Sequence, residues 1–204
     1  MKISNSEIRA RARKALGGQL FSKTWLMAIL SAIIIGAILG AANGISCGIA
    51  TFLLVGPLYV GFHAIFLKIA RGDEEVKIET NFVGCYDFAS NLALGFMQTL
   101  LISLWSLLFV IPGILKAYSY SMAYFVKCDH PEFGWRECLD ESKRLMKGNR
   151  FKYFMLQLSF IGWQIIGSLL CGIGVLWVNA YQSTAAAIFY DELKREKYDT
   201  YTIE

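Results

Sequence analysis

Two stretches of this chain contain no charged residue, residues 24–67 and 153–190, and a third, residues 88–126, is interrupted only by Lys116. At about 1.5 Å per residue, each is far longer than the ~20 residues that carry a helix once across a bilayer core. Each therefore reads as a helix that crosses and a second that returns. Breaks are expected at Gly56-Pro57, Pro112-Gly113 and near Gly174. The pattern predicts an all-α polytopic membrane bundle, a single integral membrane domain over residues 1–204. Its six transmembrane helices would form three hairpin repeats, each preceded by an amphipathic interfacial helix, with units at about 1–72, 73–130 and 131–196 and a cytoplasmic tail at 197–204.

The segments entering each apolar run are alike: ALGGQLFSKTWLMAIL (15–30), FVGCYDFASNLALGFM (82–97) and LMKGNRFKYFMLQL (145–158). Each sets an apolar residue before a glycine, then a polar-aromatic stretch, then a membrane helix. The returning helices also correspond, reaching aromatics at Phe62, Tyr118 and Tyr181. They read as short, roughly 15 residues or about 22 Å against a core of about 30 Å. Either Lys68 and Lys127 snorkel, or neighbouring helices shield them. Small residues at Ser119, Ser121 and Ala123, and at Ser183, Thr184, Ala185, Ala186 and Ala187, suit close helix approach. Residues 43–55, with Gly44 and Gly48, read as an outer loop or a short re-entrant segment.

Among the amphipathic elements, the third places Trp135, Cys138, Leu139, Ser142, Leu145 and Met146 on one face. Asp129 is expected to cap its start, Gly148 to end it, and Asp140 to pair with Arg144. The first sets Arg9, Arg11, Arg13 and Lys14 opposite Ile8, Ala12, Leu16 and Leu20. Those four cations are candidate contacts for lipid headgroups. A solvated helix packed on the cytoplasmic ends of the bundle is the other reading, and the sequence leaves both open.

Composition agrees with the pattern: 55% of residues are hydrophobic and the mean hydropathy is +0.45, above an ordinary soluble domain. Segments 1–23, 68–90, 127–152 and 191–204 hold 19 of the 20 Lys and Arg residues. That spacing fits the positive-inside rule and places both termini in the cytoplasm. The same dispersal, without one basic cluster, argues against nucleic acid despite a net charge of +4. Residues 26–39 followed by Gly40-Ala41-Ala42 mimic a signal peptide, but the polar leader of about 24 residues is long for one, so no cleavage is expected. The five cysteines show no metal or thioredoxin spacing. Cys85, Cys128 and Cys138 are expected as free thiols; Cys47 and Cys171 are either a disulfide or two unpaired thiols.

Intramembrane polar groups are the place to look for chemistry. His63, Ser119 and Gln182 align across the repeats, and Lys116, Tyr120 and Tyr124 share one helix face. With Asn179 they make a candidate intramembrane polar site. Lys116 either snorkels to the outer interface or contacts an anion in a cavity. No nucleophile and base, metal set or cofactor motif emerges, so neither a catalytic residue nor a metal or cofactor is expected and the chain does not read as an enzyme. Two classes remain. It is a membrane interaction, assembly or accessory protein, whose partners are membrane lipids and either its own copies or another membrane protein; or it is a small transporter or channel component for a small molecule, lipid or ion.

Four stretches, GPLYVGFHAIFLKIARGDE, WSLLFVIPGILKAYSYSMAYFVKCDHPE, ESKRLMKGNRFKYFMLQLSFIGW and GIGVLWVNAYQSTAAAIFYDEL, resemble the DUF975 family of integral membrane proteins, mainly of Gram-positive bacteria. The resemblance covers almost the whole chain and implies a location in the bacterial cell membrane. It brings no established activity. Relatives usually carry Ala-Pro where this chain has Ala123-Tyr124, and Asn-Pro-Tyr or similar where it has Asn179-Ala180-Tyr181.

Overall fold

In the computed structural model of the chain, residues 3–18, 22–46, 49–73, 76–169 and 173–201 are described. Among the described residues the secondary structure is entirely helical. The elements are α1 (Asn5–Ala15), α2 (Lys23–Ser46), α3 (Ile49–Arg71), a 3₁₀ segment (Ile78–Cys85), α4 (Phe88–Leu108), α5 (Val110–Tyr120), α6 (Ala123–Asp129), α7 (Trp135–Met146), α8 (Arg150–Leu169) and α9 (Ile173–Tyr201). Among the described residues, three helices are long and apolar enough to cross a membrane, over Lys23–Gly44, Leu53–Arg71 and Phe88–Leu107.

Local sequence explains most boundaries. Ser4 opens α1 by accepting the Glu7 N–H at 3.2 Å. Gly17 and Gly18, at φ +91° and +71°, close it, with the Gly18 N–H reaching back to the Arg13 carbonyl. Gly148 closes α7 in the same left-handed conformation. The start of α7 differs from expectation. Asp129 ends α6 instead, and α7 begins at Trp135, where the Glu137 carboxylate accepts from the Gly134 N–H at 2.7 Å. Nor does Asp140 take Arg144: Lys143 pairs with Asp140 and Arg144 with Glu141.

The expected breaks also move. Gly56 and Pro57 lie inside α3. Proline removes one helical hydrogen bond, whereas ending the helix there would orphan several backbone groups, so continuation wins. Pro112 sits in the first turn of α5, where its missing N–H is tolerated, and the break falls at Phe109, whose backbone is extended. Of the stretch 43–55, residues 43–46 belong to α2 and 49–55 to α3; 47–48, including Cys47, and likewise Cys171 and Leu20, lie outside the described residues. The returning helices are not uniformly short. α3 has 23 residues and α9 has 29, because α9 runs on through charged residues of good helix propensity after Tyr190. The second amphipathic element is the 3₁₀ segment, not an α-helix.

The chain divides into two compact units, one of Met1–Ala32, Ile65–Ile78 and Phe151–Glu204, the other of Ile33–Ala64 and Glu79–Arg150. In the first, α1 packs on α9 with Ile8, Ala12 and Leu16 fully buried. The apolar face of α1 is thus covered by protein. Tyr181 of α9 donates its hydroxyl to the Arg9 carbonyl at 2.9 Å, and Asn5 donates to the Lys152 carbonyl at the start of α8. α8 and α9 meet where Gly167 and Gly174 touch: a Cβ on Gly174 would stand 2.7 Å from the Gly167 Cα. Ala180, Thr184, Ala185, Ala186 and Ala187 are buried, as their size suggested.

In the second unit backbone meets backbone along α3. A Cβ on Gly56 would run into the Asn91 carbonyl of α4, one on Gly61 into the Asn81 carbonyl, and one on Gly84 into the Pro57 carbonyl. Gly95 completes the crossing, its Cβ position 2.6 Å from the Gly56 Cα. The 3₁₀ geometry turns the Asn81 and Gly84 backbone onto this glycine face. α7 packs on α4, α5 and α6 through buried Cys138, Leu139, Ser142, Leu145 and Met146. Between α5 and α6, Ser142 donates to the Ser119 carbonyl at 2.8 Å and accepts the Met122 N–H at 3.2 Å, and Gln98 reaches the Tyr120 carbonyl. The interruption is therefore stitched by side chains from α7 and α4.

The glycine face gives a sharp contrast. Gly56→Ala must push α3 from α4 and should lower the melting temperature in detergent, by an amount corresponding to about 1–3 kcal/mol. Gly40→Ala, in a helix with open space around it, should be neutral or raise stability by up to about 1 kcal/mol. Equal responses would show that backbone contact is not what Gly56 provides.

Candidate functional site

The sequence offers several charged residues just beyond apolar helix, and in the first unit three such places converge. The end of α1, the end of α3 and the middle of α9 surround a cleft of about 420 Å³ lined by Arg11, Lys14, Arg71, Asp191, Glu192 and Arg195, with Ile188 beneath them. Arg71 meets Asp191 through Nη2 at 2.9 Å and Nε at 3.3 and 3.4 Å from its two oxygens. Glu192, only 9% exposed, accepts from Arg11 at 2.6 Å and Arg195 at 3.3 Å. Arg11 also pairs with Glu7 at 2.8 Å. Two carboxylates thus hold three guanidinium groups in fixed directions. Lys14 is exposed and has no ion-pair partner among the described residues. Of the four cations expected at headgroups, Arg11 and Lys14 line this cleft, Arg13 is exposed elsewhere on α1, and Arg9 is half-buried.

The candidate intramembrane residues have separate partners. His63 donates through its Nδ1–H to the Tyr59 carbonyl at 2.7 Å, stacks on Tyr124 at 5.2 Å and meets Phe125 edge-on at 4.7 Å. Ser119 donates to the Leu115 carbonyl at 2.6 Å within its own helix. Gln182 takes a hydrogen bond from Gln164 at 2.6 Å and donates to Gln157, linking α9 to α8. Asn179 is exposed. Lys116 places its ammonium 4.8 Å from the centre of the Trp105 ring on α4, while Tyr120, four residues on, is buried and faces Lys143 of α7. The run from Lys116 to Tyr124 is not one helix face, because the chain turns at Ser121–Met122.

Residues 1–119 and 107–197 match a family described as "Protein of unknown function (DUF975)". The chain belongs to the DUF975 family. No curated protein and no solved structure matches it. In this DUF975 chain the sequence reading missed Arg71, Asp191, Glu192 and Arg195 as site residues. It counted the basic ones only as topological markers, and no local spacing ties Arg11 to a carboxylate 181 positions away.

For one further cation the structure decides between the two alternatives. Lys127 does not snorkel: it is 3% exposed, and its ammonium has Asp87 at 3.2 Å, Ser90 at 2.8 Å, and the Pro131 and Phe133 carbonyls at 2.6 and 2.9 Å. It ties the connection before α7 to the start of α4. Desolvation pushes the Asp87 carboxyl up, but the hydrogen bond and charge of Lys127, with help from Ser90, outweigh it and hold Asp87 below its ordinary value. Burial pushes the Cys138 thiol up to about 11, so it is an unreactive thiol at neutral pH. Cys85, Cys128 and Cys138 are free, and no metal-ligating group of residues forms among the described residues.

Two outcomes follow. Lys127→Met should destabilise the protein by about 3 kcal/mol, since it strips four acceptors of their donor. Because Asp87 is depressed on folding, its contribution is present above the unfolded carboxylate pKa and is lost as the pH falls through the lower folded value. Lys127→Met should therefore flatten the acid limb of the melting-temperature profile. An unchanged acid limb would mean that the pair carries no linkage. For Lys116, arginine keeps a cation over Trp105 and leucine does not, so Lys116→Arg should melt like wild type and Lys116→Leu about 1 kcal/mol lower. Equal losses in the two would remove the cation–ring account.

Proposed function

We propose that this DUF975 chain is an integral protein of the bacterial cell membrane, with six crossings in three hairpins and both termini in the cytoplasm, that acts as an interaction or accessory protein. The crossings would be α2 and α3, α4 with the α5–α6 pair, and α8 and α9. The segregation of basic residues supports the orientation. The broad exposed apolar surface supports immersion, with Leu169, Leu107 and Ile111 exposed at 79%, 86% and 73%; such a surface is a liability in water and ordinary in hydrocarbon.

The observation that carries the functional reading is the use made of polar side chains within the apolar helices. The Gln157–Gln182–Gln164 chain, Asn91 on the Gly84 carbonyl at 2.6 Å and Ser142 are engaged in joining helix to helix or closing the helix interruption, and Ser119 is satisfied within its own helix. A hydrated route for solute would need such groups to face water along its length. Spent on packing, they support a protein that works through its surfaces, by binding lipid and by associating with its own copies or with another membrane protein.

Single cysteines placed at Ser119, Gln164 and Gln182, in a background without the native cysteines, should not react with a water-soluble maleimide in intact cells or inverted vesicles. Ser6→Cys should react only in inverted vesicles. Reaction at all three intramembrane positions would reveal a hydrated path and favour transport, and reaction of Ser6→Cys from outside intact cells would reverse the orientation.

A further inference from the structure

The cleft of the first unit deepens the proposed reading and rests on its placement in the membrane. We propose that it binds a phosphoryl group, as either a phosphomonoester headgroup or a soluble phosphate. Four cationic side chains face two carboxylates and Glu7 takes a further share of Arg11, leaving an excess of one positive charge, which a phosphoryl monoanion complements. The carboxylates are already committed. Asp191 is engaged by Arg71, and Glu192 by Arg11 and Arg195, so they orient guanidinium forks instead of repelling a ligand in open water. Planar forks held in this way suit phosphate oxygens.

Lys14 supplies the uncommitted charge. Two helix C-termini lie nearby and would favour cations on their own account. Backbone takes some of their carbonyls: the Gly18 N–H bonds the Arg13 carbonyl at 3.0 Å, and the Asp73 N–H bonds the Lys68 carbonyl at 3.1 Å.

The level of the cleft is set by the chain. Arg71 is the last residue of the apolar span Leu53–Arg71, and Asp191 follows the buried run from Ala185 to Tyr190. In the membrane reading this is the depth of the phosphate layer. A volume of about 420 Å³ lies within the ~300–1,000 Å³ range of small-molecule sites.

The test uses the full chain. In detergent micelles, inorganic phosphate at constant ionic strength should raise the melting temperature saturably; in nanodiscs of phosphatidylcholine, added phosphatidic acid should do the same. Lys14→Ala and Arg195→Ala, both at exposed side chains, should melt like wild type without ligand and raise the half-saturating concentration about fivefold each. Arg13→Ala, on the same helix outside the cleft, should change it less than twofold. A Lys14-dependent response to phosphatidic acid alone assigns the site to lipid, and one to inorganic phosphate alone assigns it to a soluble phosphate. No saturable response in either arm, or equal losses for Arg13→Ala and Lys14→Ala, overturns the proposal. The micelle arm does not depend on membrane orientation, so it separates failure of this site from failure of the topological reading.

Discussion

Backbone-to-backbone contact is the constraint on which the second unit depends. Gly56 and Gly61 present α3 to the Asn91 and Asn81 carbonyls, and Gly84 and Gly95 answer from the other side. In hydrocarbon there is little hydrophobic gain from pressing two apolar helices together, so close approach and dispersion must supply the affinity. Any side chain at these positions would open the crossing. This one requirement accounts for three features that look unrelated: a proline tolerated inside α3, a 3₁₀ turn where an α-helix was expected, and an asparagine at the beginning of α4 whose amide donates to the Gly84 carbonyl.

The second organising rule is that polar side chains supply partners to the backbone near the interruptions. Ser142 and Gln98 serve the backbone between α5 and α6, Lys127 gathers the turn before α7, and Gln182 links α8 and α9. Each of these side chains looks like a site when read along the sequence, because a polar group in an apolar run is expensive. The structure gives each a neighbour that accounts for its presence. The cleft differs in kind: its charges are arranged in pairs around open space, and Lys14 is left over.

Helix content, the small-residue faces of α9, the buried stripes of α1 and α7 and the free thiols were legible in the sequence, since each depends on periodicity or composition within a few turns. Gly148 was legible as a stop for the same reason. The breaks were not, because whether Gly56-Pro57 ends a helix depends on what packs against it. The choice for Lys127 stayed open because snorkelling and burial begin from the same pattern, an ammonium at the end of an apolar run, and only the placement of Asp87, Ser90 and two carbonyls separates them. The cleft was half legible: Arg11 and Lys14 stood out on a basic face, whereas their partners lie at the far end of the chain and look like ordinary surface charge.

Ser142 also imposes an order of events during synthesis. The carbonyl of Ser119 and the N–H of Met122 leave the ribosome twenty or more residues ahead of the hydroxyl that joins them. A nascent chain that has only reached α6 must keep that interruption hydrated or otherwise occupied, and α7 arrives as its intramolecular chaperone. The amphipathic helix α7 is then the last piece of the packing around α5 and α6.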